Sequence, residues 1–401
     1  MIGRTLAAGV LALQLTSAPA LAAVPVAEHA QVAEHVRAER RAPVECKPRK
    51  GTTQLPGTEP WAQRRLDIKN VWRITRGAGV KVAVVDSGVD YQHPQIRISK
   101  FIDITHTGYR DCVGHGTAVA GIIAGRYLAG VPFHGVAPEV QLISVKQSNS
   151  EEGEVADLVK GIKEAVDLKA DVINVSVRAA DHPDLRAVIQ YALARDIVVV
   201  AAAGNITKED GPPEPAYPAA YDGVLAVGSA NVDGRRADSS NTATPVGVLG
   251  PGVDITAPWT GKSYMRGLEG TSFAAPYVAG VAALVRARFP KLDRQQVRQR
   301  IIATADGSVG TGTGAGMVNP LMAVTASLSF DPADAPVVAA PPPSPLPANA
   351  VAKAPQPDEH ATNVALLVMV GALVIAAVAA AAASLIPLGR RRGWRPGRPA
   401  A

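Results

Sequence analysis

Short apolar runs alternate with longer amphipathic runs between residues 61 and 327, and this alternation limits the fold more than any other feature. Strands are predicted at 80–85, 141–145, 171–175, 197–202 and 224–227. Helices are predicted at 154–168, at 185–195 and after Ser272. Strands that alternate with helices form a parallel sheet with helices on both of its faces. The sequence therefore predicts a three-layer α/β fold with a mainly parallel central sheet.

The first 22 residues have the pattern of a signal peptide. Arg4 precedes an apolar run at 6–15 that is too short to span a bilayer, and Ala20-Leu21-Ala22 suits signal peptidase. The alternative is a buried N-terminal helix, which Pro19 and Pro25 disfavour. We therefore expect the chain to be exported.

Residues 363–386 contain no charged side chain. As a helix they would be about 36 Å long, which exceeds the roughly 30 Å hydrocarbon core of a bilayer. Pro387 and five arginines follow in the tail 387–401, and such a basic cluster stays on the cytoplasmic side. The sequence predicts a single pass through the cell membrane, with the body outside and the C-terminus in the cytoplasm. The alternative is a buried helix of a soluble protein.

The charge of the chain is concentrated at its ends. The formal net charge is +6, with 41 Lys and Arg against 35 Asp and Glu. Without Arg4 and the five tail arginines, 35 basic residues balance 35 acidic ones. A neutral body gives no electrostatic reason to bind nucleic acid, so we expect no such partner.

Two further segments flank the predicted α/β domain, which covers 61–330. Residues 331–362 are rich in proline and alanine, which is typical of a semi-rigid linker. Residues 23–60 form an extension that is too short and polar to fold alone as an inhibitory domain. The predicted order is therefore signal peptide, extension, α/β domain, linker, membrane helix and basic tail.

Four polar residues lie at the ends of predicted elements. Asp86 closes a buried strand before a glycine turn, and Asn205 follows another strand. His115 lies between two glycines at the start of a helix of small residues. Ser272 lies near the N-terminus of an apolar helix, where free amides favour developing negative charge. Each has a simple structural explanation when taken alone: a turn residue, a surface histidine, a turn asparagine or a helix N-cap.

Taken together, these residues resemble the motifs of the subtilisin-like serine proteases. The motifs are KVAVVDSGVD at 81–90, GHGTAVAG at 114–121, VVVAAAGN at 198–205 and GTSFAAP at 270–276. Lesser matches are HGVAP at 134–138, YPA at 217–219, PGVDITAP at 251–258 and GAGMVN, which resembles a closing strand and turn, at 314–319. The resemblance implies a serine endopeptidase that needs no cofactor.

The resemblance also implies a role for each residue. Ser272 would be the nucleophile, His115 the general base and later the acid, and Asp86 the group that orients and stabilises the imidazolium. The Asn205 side chain and the Ser272 backbone amide would bind the oxyanion. No metal site is predicted, because the acidic residues lack EF-hand spacing and no His/Cys cluster has zinc-ligand geometry. A calcium site built from backbone carbonyls stays open.

The specificity pocket differs from that of most relatives. The resemblance places the pocket at Ser176, Val177, Arg178, Ala201, Ala202 and Gly204. Most relatives carry Ser-x-Gly-Gly where this chain has Ser-Val-Arg-Ala at 176–179. An arginine in place of a glycine is expected to narrow or re-aim the pocket. We therefore expect selective cleavage of a few proteins rather than broad digestion.

The chain has two cysteines, Cys46 in the extension and Cys112 three residues before His115. In an oxidising exterior they can pair and tie the extension to the loop beside the general base. Closing a loop of this size contributes roughly 4 kcal/mol to stability in the chain-entropy model. The alternative is two free thiols.

The whole arrangement is similar to the mycosins, which are membrane-anchored proteases of type VII (ESX) secretion systems. The resemblance implies a protein substrate secreted by such a system and subunits of its membrane complex as partners. It also implies an extension that wraps the catalytic domain. Two other functions stay open. The chain could be mainly a structural subunit with secondary proteolysis, or a freely secreted nutritional protease, which the predicted anchor opposes.

Overall fold

The structure is a computed structural model that describes residues 46–55, 57–206, 212–307, 310–329 and 359–393. It divides into two compact units, Met1–Phe330 and Asp331–Ala401. The predicted signal peptide, most of the predicted linker and the end of the basic tail lie outside the described residues.

A seven-stranded sheet forms the centre of the first unit. Its strands are β1 (Lys81–Asp86), β2 (Ile98–Asp103), β3 (Gln141–Lys146), β4 (Val172–Val175), β5 (Val198–Ala202), β6 (Leu225–Ala230) and β7 (Val248–Pro251). Their order is β2-β3-β1-β4-β5-β6-β7, and every neighbouring pair is parallel. The predicted parallel α/β sheet is confirmed.

Helices cover both faces of this sheet. They are α1 (Trp61–Leu66), α2 (Ile68–Val71), α3 (His115–Ala124), α4 (Val155–Asp167), α5 (Pro183–Leu193), α6 (Thr271–Arg288), α7 (Arg294–Ala303) and α8 (Pro320–Thr325). One core cluster includes α3 and α6, and a second includes α4 and α5. Alternate residues of β5 point to opposite faces, so Ala202 packs in the first cluster and Ala201 in the second.

Elements at the edge of the fold differ from the prediction. The two edge strands, β2 and β7, were not predicted, and neither was the antiparallel hairpin of β8 (Ile255–Trp259) and β9 (Ser263–Leu268). β2 has only half-buried and exposed residues, so it lacks the apolar run that marked the central strands. The segment 314–319, expected as a closing strand, joins β7 through a single parallel bridge between Leu249 and Met317.

The second unit contains one described helix, α9 (Glu359–Arg391). Its part Asn363–Arg391 is long and apolar enough to cross a membrane. The predicted span ended at residue 386, whereas the helix continues through Pro387 to Arg391. Proline removes one helical hydrogen bond, and here the loss does not end the helix.

Candidate active site

Asp86 and His115 form a hydrogen-bonded pair at the carboxyl end of the sheet. Asp86 is the last residue of β1, and His115 is the first of α3. His115 Nδ1 lies 2.8 Å from Asp86 Oδ1 and 3.0 Å from Oδ2. An ionised carboxylate only accepts hydrogen bonds, so Nδ1 carries the proton and Nε2 keeps a free lone pair. The Asp86 side chain is 2% exposed and that of His115 21%, so the histidine remains open to a reactant.

The residue before His115 must be glycine. Gly114 has a φ of 99°, in the left-handed region that favours glycine. A β-carbon at this position would overlap the Trp259 ring. The sequence Gly-His-Gly therefore lets α3 begin directly against Trp259, with the imidazole at its first position.

A second buried carboxylate, Asp111, supports the pair and was not predicted as a site residue. Its Oδ1 accepts hydrogen bonds from Ser87 Oγ (2.9 Å) and the Gly114 amide (2.8 Å). Its Oδ2 accepts from the Thr117 amide and hydroxyl (2.9 and 2.6 Å). The Ser87 amide donates to Asp86 Oδ1 at 2.8 Å. Asp111 thus fixes the start of α3 to the turn after Asp86.

The surroundings of His115 favour its protonated form. Burial acts to lower the pKa of the imidazole, but the charge and hydrogen bond of Asp86 act against it. Asp111 and Glu151 add smaller contributions of the same sign as Asp86. The net result is a pKa above the ordinary value of 6.5, so the free base is the main form only at a correspondingly higher pH.

Ser272 is the second residue of α6, and its neighbour Phe273 lies against the histidine. The ring centroids of His115 and Phe273 are 5.1 Å apart. Ser272 itself is half-buried and lines the same cavity as Asp86 and His115. The N-terminus of α6, with its free backbone amides, therefore lies at the same cavity as His115.

Asn205 presents its amide group at the same helix end. Its Oδ1 accepts from the Thr271 amide at 2.9 Å and from the Thr271 hydroxyl at 3.1 Å. These two bonds leave Nδ2 as the outward donor. Gly270 has a φ of 132°, and a β-carbon there would lie 2.8 Å from Asn205 Nδ2. Glycine at 270 therefore leaves room for the donor.

These residues line a cavity of about 1010 Å³. Of the residues expected to form the specificity pocket, five line it: Ser176, Val177, Arg178, Ala202 and Gly204. Ala201 does not line it, because it points to the opposite face of β5 and packs in the core. Arg178 Nη1 donates to the Asn205 carbonyl at 3.4 Å. Within the described ranges, no three His, Cys, Asp or Glu side chains form a group that could hold a metal ion.

Residues 23–45 of the predicted extension lie outside the described residues, but residues 47–49 near its end form part of the cavity wall. Cys46 and Cys112 are joined by a disulfide across 66 residues, as predicted. Trp259 Nε1 donates to the Arg49 carbonyl at 2.8 Å, and residues 47–49 line the cavity. Contact of the extension with the cavity itself was not predicted, because it depends on the path of the chain after the disulfide.

Known proteins resemble this chain in sequence and in fold. Residues 77–322 match the model of the Subtilase family, Peptidase_S8. Mycosin-1 of Mycolicibacterium smegmatis is 34% identical in an alignment 350 residues long that covers 72% of this chain and 78% of that protein. Mycosin-4 of Mycobacterium tuberculosis is 40% identical in an alignment 299 residues long that covers 62% of this chain and 66% of that protein. The crystal structure of MycP1 from the ESX-1 type VII secretion system superposes with a TM-score of 0.64 at 31% identity, over 73% of this chain and 93% of that one.

Proposed function

Because the chain belongs to the subtilase family, and within it to the mycosins, we propose that its serine endopeptidase activity is carried by Asp86, His115 and Ser272. The observation that supports this most is the 2.8 Å bond between His115 Nδ1 and Asp86 in a cavity that Ser272 also lines. A neutral serine hydroxyl is a poor nucleophile and needs a base whose lone pair is free. Nε2 of His115 is such a base.

The proposed reaction has two halves. Ser272 Oγ attacks the scissile carbonyl while His115 Nε2 takes its proton, and the imidazolium then returns a proton to the leaving amine. Water hydrolyses the resulting acyl-enzyme by the same sequence of proton transfers. Asp86 stabilises the imidazolium in both halves without taking its proton.

The oxyanion of each tetrahedral intermediate would be bound at the N-terminus of α6. The proposed donors are Asn205 Nδ2 and the Ser272 backbone amide. Support comes from the two hydrogen bonds that hold Asn205 Oδ1 on Thr271, since they orient the amide before a substrate binds.

We further propose that the enzyme has narrow specificity. Arg178 lines the cavity beside Ser176 and Val177 and is bonded to the backbone of Asn205. A long cationic side chain at this place reduces the room for a substrate side chain. Digestion of fluorescently labelled casein would test this. A rate as high as that of a bacterial scavenging protease would contradict narrow specificity.

The proposed setting is the outer face of the cell membrane. α9 supplies one candidate span, and the arginines after it favour a cytoplasmic C-terminus. MycP1 belongs to a type VII secretion system by its description. From this likeness we infer a protein substrate secreted by such a system and contacts with its membrane complex. A mainly structural role in that complex is the second candidate.

A fluorophosphonate probe tests the catalytic assignment directly. We expect the full-length chain in detergent to be labelled and the adduct to lie on Ser272 by mass spectrometry. Ser272→Ala should abolish labelling, whereas Ser327→Ala, an exposed control outside the cavity lining, should not. Absence of an adduct on Ser272 in the folded chain would overturn the assignment.

A further inference from the structure

The segment that follows β3 forms an acidic wall of the active-site cavity. Glu151, Glu152 and Glu154 are exposed and line the cavity. Among the residues that the structure describes, none of these three carboxylates has an ion-pair partner. These three carboxylates add negative charge to a concave site that the cationic Lys47 and Arg49 also line.

The backbone of this wall is held in place by serine side chains. Ser148 Oγ donates to the Glu152 carbonyl at 2.9 Å and accepts from the Ser150 amide at 3.0 Å. Ser150 Oγ also donates to the Glu152 carbonyl. The glutamates therefore project from a closed turn rather than from an extended loop.

A buried acceptor lies beneath the wall. Gln147 is 3% exposed, lines the cavity, and has a side-chain oxygen without a hydrogen-bond partner among the described residues. That oxygen lies against Gly153, where a β-carbon would overlap it. A buried polar atom without a partner is costly, so a donor brought by a ligand would be favoured there.

The acidic wall is next to the reacting groups. The backbone N–H of Gln147 donates to the backbone carbonyl of Asp86 at 2.8 Å. In the sheet, β1 lies between β3 and β4, so the wall after β3 and the segment with Arg178 after β4 lie on opposite sides of Asp86. A substrate that crosses this site meets negative charge on one side and a guanidinium on the other.

We propose that Gln147, Glu151, Glu152 and Glu154 form a subsite for a lysine or arginine side chain of the protein substrate, close to its scissile bond. An ammonium or guanidinium group has only donors and a positive charge, which suits three carboxylates and one unpartnered carbonyl oxygen. This inference rests on the proposed endopeptidase function and specifies its substrate class.

The test uses a random peptide library and the full-length chain in detergent. Mass spectrometry of the cleaved products should show one position near the cut at which Lys and Arg are about tenfold more frequent than Gln at low salt. This excess should be smaller at high salt. The variant with Glu151→Gln, Glu152→Gln and Glu154→Gln should lose most of this preference. A matched control removes three exposed acids outside the cavity lining, by Asp184→Asn, Asp233→Asn and Asp238→Asn, and should keep it. Equal cleavage of Lys and Gln peptides by the unmodified chain, or an unchanged preference in the triple glutamine variant, would refute the subsite.

A binding arm separates failure of the subsite from failure of the proposed catalysis. The Ser272→Ala chain is immobilised and the same library is passed over it. The peptides that it retains are then sequenced. Basic peptides should be enriched, and Gln147→Leu, which changes no charge, should reduce the enrichment. Enrichment without cleavage by the unmodified chain would contradict the proposed function alone. Fluorophosphonate labelling without basic enrichment or preference would contradict the subsite alone.

Discussion

Asn205 contributes to the candidate site through the orientation of one amide group. Its oxygen is held by Thr271, and its nitrogen faces the position that Gly270 leaves open. The amide is therefore aligned by the residues just before the serine. This alignment predicts that a change at either Asn205 or Gly270 affects the same step of the reaction.

We expect Asn205→Ala to lower kcat by about 10²- to 10³-fold, the range known for removal of one oxyanion donor in subtilisin, with little change in KM. Gly270→Ala should produce a similar loss, because its methyl group displaces the amide. The double variant should be little worse than either single one, since residues that act on one interaction are not additive. Steady-state kinetics of all three, with Asn70→Ala as a surface control, would check this. Independent, additive losses would contradict the shared role.

The pH dependence of kcat/KM should reflect the raised pKa of His115. The base must be neutral to accept the serine proton, so activity rises as the pH increases through this pKa, and the midpoint should lie above 6.5. Glu151 is one of the charges that raise the pKa. Glu151→Gln should therefore move the midpoint to lower pH, whereas Asp184→Asn should leave it unchanged. A pH profile of kcat/KM is the measurement, and a shift to higher pH in Glu151→Gln would contradict the electrostatic account.

At the residue scale, the sequence was most informative where chemistry and local structure coincide. Asp86, His115, Asn205 and Ser272 lie in motifs that also set a strand end or a helix start, so the motifs could be recognised. Asp111 and Gln147 carry no such local signal. Their importance depends on contacts with residues on other elements, and these contacts exist only once the chain is folded.

At the scale of elements, most of the central strands could be predicted from their apolar residues. β1 and β5 are largely apolar because helices cover both faces of the sheet, and β3 and β4 are apolar except for a few polar residues such as Ser144 and Asn174. The edge strand β2 lacks this pattern and was missed, and β7 was missed although it is buried, because it has only four residues and ends in Gly-Pro. α6 has no polar face because nearly all of it is buried between the sheet and its neighbours. It was recognised from its apolar sequence. The elements that were predicted lie where they were expected, and only their first or last residues differ from the observed ones.

The disulfide should contribute measurably to the stability of the first unit. Cys46→Ser removes a cross-link that closes 66 residues, which should lower the free energy of unfolding by roughly 4 kcal/mol. Thermal unfolding of the chain in detergent should show the loss as a lower midpoint. A reducing agent should lower the midpoint of the unmodified chain by a similar amount and leave Cys46→Ser unchanged. Equal midpoints with and without the bridge would contradict this prediction.

At the scale of the whole molecule, charge and hydrophobicity are distributed by segment. The net +6 of the sequence comes from Arg4 and the tail arginines, while the rest is balanced. The helix α9, whose stretch 363–386 carries no charged side chain, belongs to a separate compact unit from the α/β domain. A charge-balanced body joined to a candidate membrane helix is consistent with an enzyme that acts at one place rather than in free solution.

Catalysis and scaffolding can be separated by one substitution. Ser272→Ala removes the proposed nucleophile but keeps the fold, because a half-buried hydroxyl on α6 has no hydrogen bond that the structure depends on among the described contacts. In the source organism, we expect type VII substrates to be cut normally with the unmodified chain and to remain uncut with Ser272→Ala. If their secretion fails without the chain but continues with Ser272→Ala, the structural role is the essential one. If secretion fails equally in both, proteolysis is essential, and the acidic and cationic sides of the cavity then become determinants of which proteins are processed.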